Sequence, residues 1–199
     1  MLTAPEREHL FLLALGRLPS VTYEQPDQIT PRLQRVLDAM PDSPAIIKTA
    51  TWDVVAWNEA ASRMLTDYSK LPRDKRNILR LIFTNPGTGA AQDDWWNVAR
   101  YVVGAFRADA ARAGASAQTA ALVDELSRLS PEFESLWREN HIAVHTDGMK
   151  RLRHPEYGLV EFEFSMFAVD GRSDLSMLVF NRTPAGSARR EAENARQQP

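Results

Sequence analysis

Apolar positions change their spacing several times along this chain, and each change marks a different kind of element. The stretch from Thr3 to Leu15 predicts one helix, with Thr3 as its cap, Pro5 in the first turn, and Glu6 and Glu8 at its positive end. Leu10, Phe11, Leu12, Leu13 and Leu15 surround its last turns almost completely, so it needs a partner. Gly16 to Pro31 holds Pro19, Pro26 and Pro31 among polar residues and reads as a linker. A short helix from Thr30 carries Leu33, Val36, Leu37 and Met40 at helical spacing and stops at Pro41. Two short strand-like runs follow, Ala45–Thr49 and Asp53–Trp57, on either side of a tight turn at 50–52. Asn58 is a suitable cap for a helix bearing Ala60, Ala61, Met64 and Leu65. Asn77 to Phe83 predicts another short helix, closed by the turn signal Asn85, Pro86, Gly87.

The next segments are longer and strongly periodic. Trp95, Trp96, Ala99, Val102, Val103, Phe106 and Ala110 recur at three- and four-residue steps, and Leu122, Val123, Leu126 and Leu129 do the same. Ser130 then caps a helix with Pro131 in its first position and Phe133, Leu136 and Trp137 facing inward. After Asn140 the period becomes two. Ile142–Thr146, Lys150–Arg153, Leu159–Val169 and Leu175–Asn181 are all strand-like, joined by turns at Asp147–Gly148, His154–Gly158 and Asp170–Gly171. Within Val160–Ala168, Phe162, Phe164 and Met166 share one face while Glu161, Glu163 and Ser165 share the other.

Two opening strands, several helices and three closing meander strands predict an α+β fold: one five-stranded antiparallel sheet with helices over one face. That layout resembles a PAS-like sensor fold, enlarged by extra long helices between the second and third strands, from Gln92 to Asn140.

Composition narrows the chemistry. The chain has 199 residues, a net charge of −2 and no cysteine, which excludes disulfide scaffolds, Cys-ligated zinc, iron–sulfur clusters and thiol nucleophiles. Near-neutral charge argues against strong nucleic-acid binding by this chain itself. The apolar run Leu10–Leu15 is too short for a bilayer and lacks the flanks of a signal peptide, so a cytoplasmic protein without membrane contact is expected. His141 and His145 are four apart, but the residues between them favour a strand and no third ligand presents itself, so no metal site is expected. There is no G-x-S-x-G elbow. The run from Asn85 to Gly89 lacks the Gly-Lys-Ser/Thr of a phosphate loop, and Glu161 and Glu163 read as a solvated strand face. No catalytic residues, cofactor or enzymatic role are expected.

Aromatic and methionine side chains are abundant on predicted inward faces. They can fill a core or line a ligand cavity, and spacing alone does not separate the two. Five stretches carry a resemblance: Trp52 to Ala61 (WDVVAWNEAA), Arg76 to Thr84 (RNILRLIFT), Trp96 with Arg107 eleven residues on, Leu126 to Trp137 (LSRLSPEFESLW), and Lys150 to Gly158 (KRLRHPEYG). In order and spacing they resemble the MmyB-like transcription regulator ligand-binding domain, a PAS-like module of bacterial regulators, over about Arg32 to Pro184. The opening helix is similar to the last helix of the XRE-type helix-turn-helix that such modules follow. The resemblance implies residues 1–29 as the remnant of an upstream helix-turn-helix domain plus linker, 30–184 as the ligand-binding domain and 185–199 as a flexible tail.

It further implies a sensor for a fatty-acid-like or other apolar small molecule, controlling transcription through DNA-binding by the absent helix-turn-helix, and a homodimer. Trp57, Met64, Phe83, Trp96 and Val103 are pocket candidates, together with Phe106, Trp137, Phe164 and Met166. Arg107, at a matching position, is a candidate cation for a carboxylate head or else a structural ion pair. Asn58 is expected to be a helix cap, and His154 with Pro155 a turn device. A ligand-free dimerisation module is the rival reading, with a small-molecule enzyme behind it.

Overall fold

The computed structural model describes residues 4–15, 29–85, 95–112, 115–142 and 148–183. Its helices are α1 (Ala4–Leu15), α2 (Pro31–Asp38), α3 (Glu59–Met64), α4 (Ile78–Thr84), α5 (Trp95–Arg112), α6 (Ser116–Leu129) and α7 (Pro131–Arg138). Its strands are β1 (Ala45–Thr49), β2 (Val54–Trp57), β3 (Gly148–His154), β4 (Gly158–Val169) and β5 (Arg172–Arg182). Local capping sets many of these boundaries. Thr30 Oγ1 accepts from the Leu33 amide at 3.3 Å, Asn77 Oδ1 from the Leu79 and Arg80 amides at 3.0 and 3.2 Å, and Ser130 Oγ from the Phe133 amide at 3.2 Å. Two 3-10 turns, Tyr68–Lys70 and Arg73–Lys75, occupy a stretch for which the apolar pattern gave no element.

All strand pairs are antiparallel, in the order β2-β1-β5-β4-β3, so the first and last strands of the domain meet at the sheet centre. This is an α+β, PAS-like arrangement. Positions 16–28 of the predicted linker Gly16–Pro31, positions 86 and 87 of the predicted turn that opens at Asn85, and the predicted tail 185–199 lie outside the described residues. So does the strand-like run Ile142–Thr146, except for an exposed Ile142; β3 itself starts at Gly148.

Both faces of the sheet are used. On one, Leu33 and Leu37 of α2 pack with Ala45, Ile47, Ala56, Leu175 and Val179. On the other, here the inner face, Ile46, Leu152, Val160, Phe162, Leu178 and Phe180 pack with Ala61 and Met64 of α3 and with Tyr68. A third apolar cluster joins α4, α5, α6 and α7 through Leu79, Phe83, Val103, Phe106, Leu126 and Phe133. Ile78 packs against both this cluster and that of the inner face. Leu129, inward by periodicity, is 60% exposed in the last turn of α6, past the stretch that packs.

Candidate functional site

Cross-strand register decides which side chains share the inner face. Gly148, Lys150 and Leu152 of β3 stand opposite Phe164, Phe162 and Val160 of β4, and Phe164 and Met166 stand opposite Phe180 and Leu178 of β5. The rings form an aromatic floor: Phe162 and Phe180 meet edge-on at 6.2 Å, and Phe164 lies 6.1 Å from Phe180. Phe164 also touches Tyr101 of α5 at 5.8 Å, which links the floor to the helices above it. Its ring covers Gly148 so closely that a Cβ there would come within 2.6 Å of the ring. At the β2 end, Trp57 packs on Tyr68 at 5.4 Å, with Met64 beside them.

Two cations reach this floor. Arg182 points Nη2 at the Met64 sulfur, 3.8 Å away. Half-buried Lys150 holds its Nζ 5.5 Å from the Phe180 ring centre, and burial draws its ammonium down to about 8.

The helical cluster has its own aromatic chain. Phe83 lies edge-on to both Trp95 (5.7 Å) and Phe133 (5.1 Å), and Phe133 stacks on Trp137 at 6.0 Å. Phe106 and Trp137 are 5.8 Å apart. Arg107 holds its guanidinium carbon 4.3 Å over the Trp137 ring and donates to the Trp137 carbonyl at 2.6 Å and to the His141 carbonyl. It thus satisfies carbonyls at the end of α7, and desolvation lowers its pKa. The two tryptophans that open α5 part company: Trp95 packs into the cluster, whereas Trp96 is 52% exposed.

A buried ion pair couples the two clusters. Lys48 Nζ, fully buried in β1, meets Asp109 Oδ2 of α5 at 2.7 Å, and the same oxygen accepts from Trp52 Nε1 at 2.9 Å. Lys48 also lies 4.3 Å over the Trp52 ring, and Arg112 reaches the other Asp109 oxygen at 3.3 Å. Burial lowers the Lys48 pKa, opposed by Asp109. Trp52 is held at φ 65°, a conformation a bulky residue rarely adopts, in the turn between β1 and β2.

Next to this junction opens a cleft of about 530 Å³, lined by Asp53, Arg73, Arg76, Asn77, Arg80, Glu125 and neighbours. Its walls are braced by their own charges. Arg80 grips Glu125 at 2.9 and 2.6 Å, and that hydrogen bond holds the Glu125 carboxyl below its ordinary range. Arg76 stacks on Trp57 at 5.1 Å, and Asn77 Nδ2 donates to Asp53 at 2.9 Å and to the Thr51 carbonyl at 2.8 Å.

None of the ten sequence-predicted pocket residues lines this cleft. Trp57, Met64, Phe164 and Met166 gather at the sheet. Phe83, Val103, Phe106 and Trp137 gather among the helices, with Arg107 on their rim.

Asn58 caps α3 through the Ala61 amide (2.9 Å) and also accepts from the Ala45 amide (3.0 Å). Its Nδ2 donates to the carbonyls of Leu37, Met40 and Ser43 at 3.2, 2.8 and 2.9 Å. His154 Nδ1 accepts from the Glu156 and Tyr157 amides, which leaves Nε2–H for the Arg63 carbonyl at 2.9 Å. It is a turn device that also pins β3 to α3. Sequence reasoning missed Lys48, Asp109 and Lys150. The one available signal was a lysine, Lys48, within a predicted strand and directly after the apolar run Ala45–Ile47.

Among the described residues no helix is long and apolar enough to cross a membrane. The family described as MmyB-like transcription regulator ligand binding domain matches residues 29–195. A comparison with curated proteins returns no match.

Proposed function

The chain belongs to the MmyB-like transcription regulator ligand-binding domain family, and from that premise we propose that residues 30–184 sense a fatty-acid-like or other apolar small molecule. The family is one of regulatory ligand-binding domains and not of enzymes. In this reading the molecule lies between the inner face of the sheet and the helices over it. Occupancy then alters how a helix-turn-helix domain of the same regulator engages DNA in the cytoplasm.

The observation that supports this is the floor itself. Phe162, Phe164 and Phe180, with Met64, Met166 and Trp57 in the same cluster, form a polarizable apolar face that Tyr101 of α5 meets at Phe164. A long acyl chain buried there gains about 0.8 kcal/mol per methylene before ordering costs. Of the predicted lining, the sheet-side residues are the first wall and the helical residues the second.

Native mass spectrometry of the purified chain, followed by extraction of bound small molecules, tests the reading. The expected result is an apolar adduct released on denaturation, or a rise in melting temperature with C12–C16 fatty acids. A chain that carries no adduct and whose melting temperature none of these acids moves would overturn it.

A second reading, a dimerisation module without ligand, draws on one observation. Leu10, Leu12 and Leu13 on α1 are 51%, 51% and 72% exposed, more apolar surface than a lone helix ordinarily shows to water. A two-fold operator calls for a dimeric reader, and α1 is a suitable seam. Sedimentation separates the readings: a dimer indifferent to acyl ligand favours the module, and a dimer shifted by ligand favours the sensor.

A further inference from the structure

Resting on the ligand-binding reading above, we propose that the bound molecule has an anionic head, a carboxylate, and that Lys150 is the residue that receives it. Lys150 faces the floor by register, opposite Phe162, with its ammonium drawn over the Phe180 ring. No carboxylate among the described residues pairs with it. Those nearby are engaged elsewhere. Glu161 belongs to the other face and pairs with Arg151 at 2.7 Å, and Glu163 shares that face by alternation.

Asp174 is gripped by Arg172 at 2.9 and 2.8 Å. From the elements packed over the floor, Asp109 is bound to Lys48, and Asp67 to Ser69 and Lys70. Lys150 therefore places a positive charge in an apolar setting, with no acid among the described residues paired to it. An ammonium in such a place gains from a charged partner, and the attraction is stronger there than in water.

The placement also matches the shape of an acyl anion. The lysine stem crosses from the edge strand β3 towards β5, so a head held at Nζ leaves its tail along Phe164, Met166 and Leu178, which continue the same face. Arg107 offers a different geometry. Two of its N–H groups already serve the Trp137 and His141 carbonyls, and it lies against Trp137 away from the floor.

The test compares two probes of equal chain length, dodecanoic acid and dodecan-1-ol, on the full chain and on Lys150→Met and Lys150→Arg. Affinities are read by displacement of a fluorescent apolar probe, with circular dichroism melts as the folding control. The full chain is expected to favour the acid by about tenfold or more, the size of one charge-assisted hydrogen bond. Lys150→Met is expected to bring the acid down to the level of the alcohol while leaving the alcohol within about threefold, and Lys150→Arg to keep the preference. If Lys150→Met does not fold, Lys150→Gln carries the same comparison with a polar tip retained.

An acid-to-alcohol ratio that Lys150→Met or Lys150→Gln leaves unchanged would overturn the assignment while leaving the ligand site standing. If neither probe binds the unmutated chain, the ligand site itself fails and this assignment with it.

Discussion

Replacing Asp109 by alanine removes the counter-ion of a lysine that has no exposed surface. Three partners lose their acceptor at once: Lys48 at 2.7 Å, Trp52 Nε1 at 2.9 Å and Arg112 at 3.3 Å. Removing one member of a buried ion pair generally costs about 3–5 kcal/mol, because the remaining charge stays out of water without compensation. Here Lys48 lies mid-strand, with β2 and β5 on either side, so it has no short route to solvent. In a chain of this size each kcal/mol moves the melting midpoint by about 2–4 °C, so Asp109→Ala should melt roughly 6–20 °C lower. Thermal melts and urea titrations check the value independently. The double variant Lys48→Met with Asp109→Leu should recover most of the loss, since an apolar pair of similar volume avoids the desolvation term. An Asp109→Ala variant within about 1 kcal/mol of the parent would refute the reasoning, and would mean that the ammonium finds water or another acceptor.

Asn58→Asp should destabilise by about 3 kcal/mol, because it keeps the acceptor for Ala61 and Ala45 but leaves the Leu37, Met40 and Ser43 carbonyls facing a buried charge; a urea titration checks it, and full stability would show that the cap alone matters. Lys150 has a folded-state pKa of about 8, below the ordinary lysine value of 10.5. The unfolded chain therefore binds the extra proton between those values, and stability should rise with pH from about 8 towards 10.5, at up to about 1.4 kcal/mol per unit. Lys150→Met should flatten that slope in urea titrations run across the window, and an unchanged slope would assign it elsewhere.

What was legible in the sequence was mostly local. Thr30, Asn58, Asn77 and Ser130 each precede a helix by one position, and a cap needs only its own next two or three amides to act. The alternation in β4 was equally readable, because the two faces of one strand differ in polarity. Trp96 shows where a period blurs. Adjacent helical residues point about 100° apart, so only one of two neighbouring tryptophans can stand at the centre of the buried stripe, and Trp95 takes that place.

The Lys48–Asp109 pair joins residues 61 apart in the chain, and Lys150 acquires its setting from β5, so neither leaves a trace in local spacing. The division of eight of the ten pocket candidates between two clusters, four to each, has the same origin. Helical and strand periods each mark a face as inward, but only the packing of layers says which interior it faces.

β1 acts as a party wall. It is a single strand, every residue of it buried, with Ala45 and Ile47 turned to α2 and Ile46 and Lys48 turned to the interior. Side chains along it alternate at a rise of about 3.3 Å, so the two rooms it divides are separated by no more than one peptide's thickness. Close-packed walls of this kind transmit displacement instead of absorbing it. A shift of a few tenths of an ångström at Ile46 is therefore passed along the strand to Ile47, and from there to Leu37 of α2. The shortest road from the inner face of the sheet to α2 runs straight through the plaster.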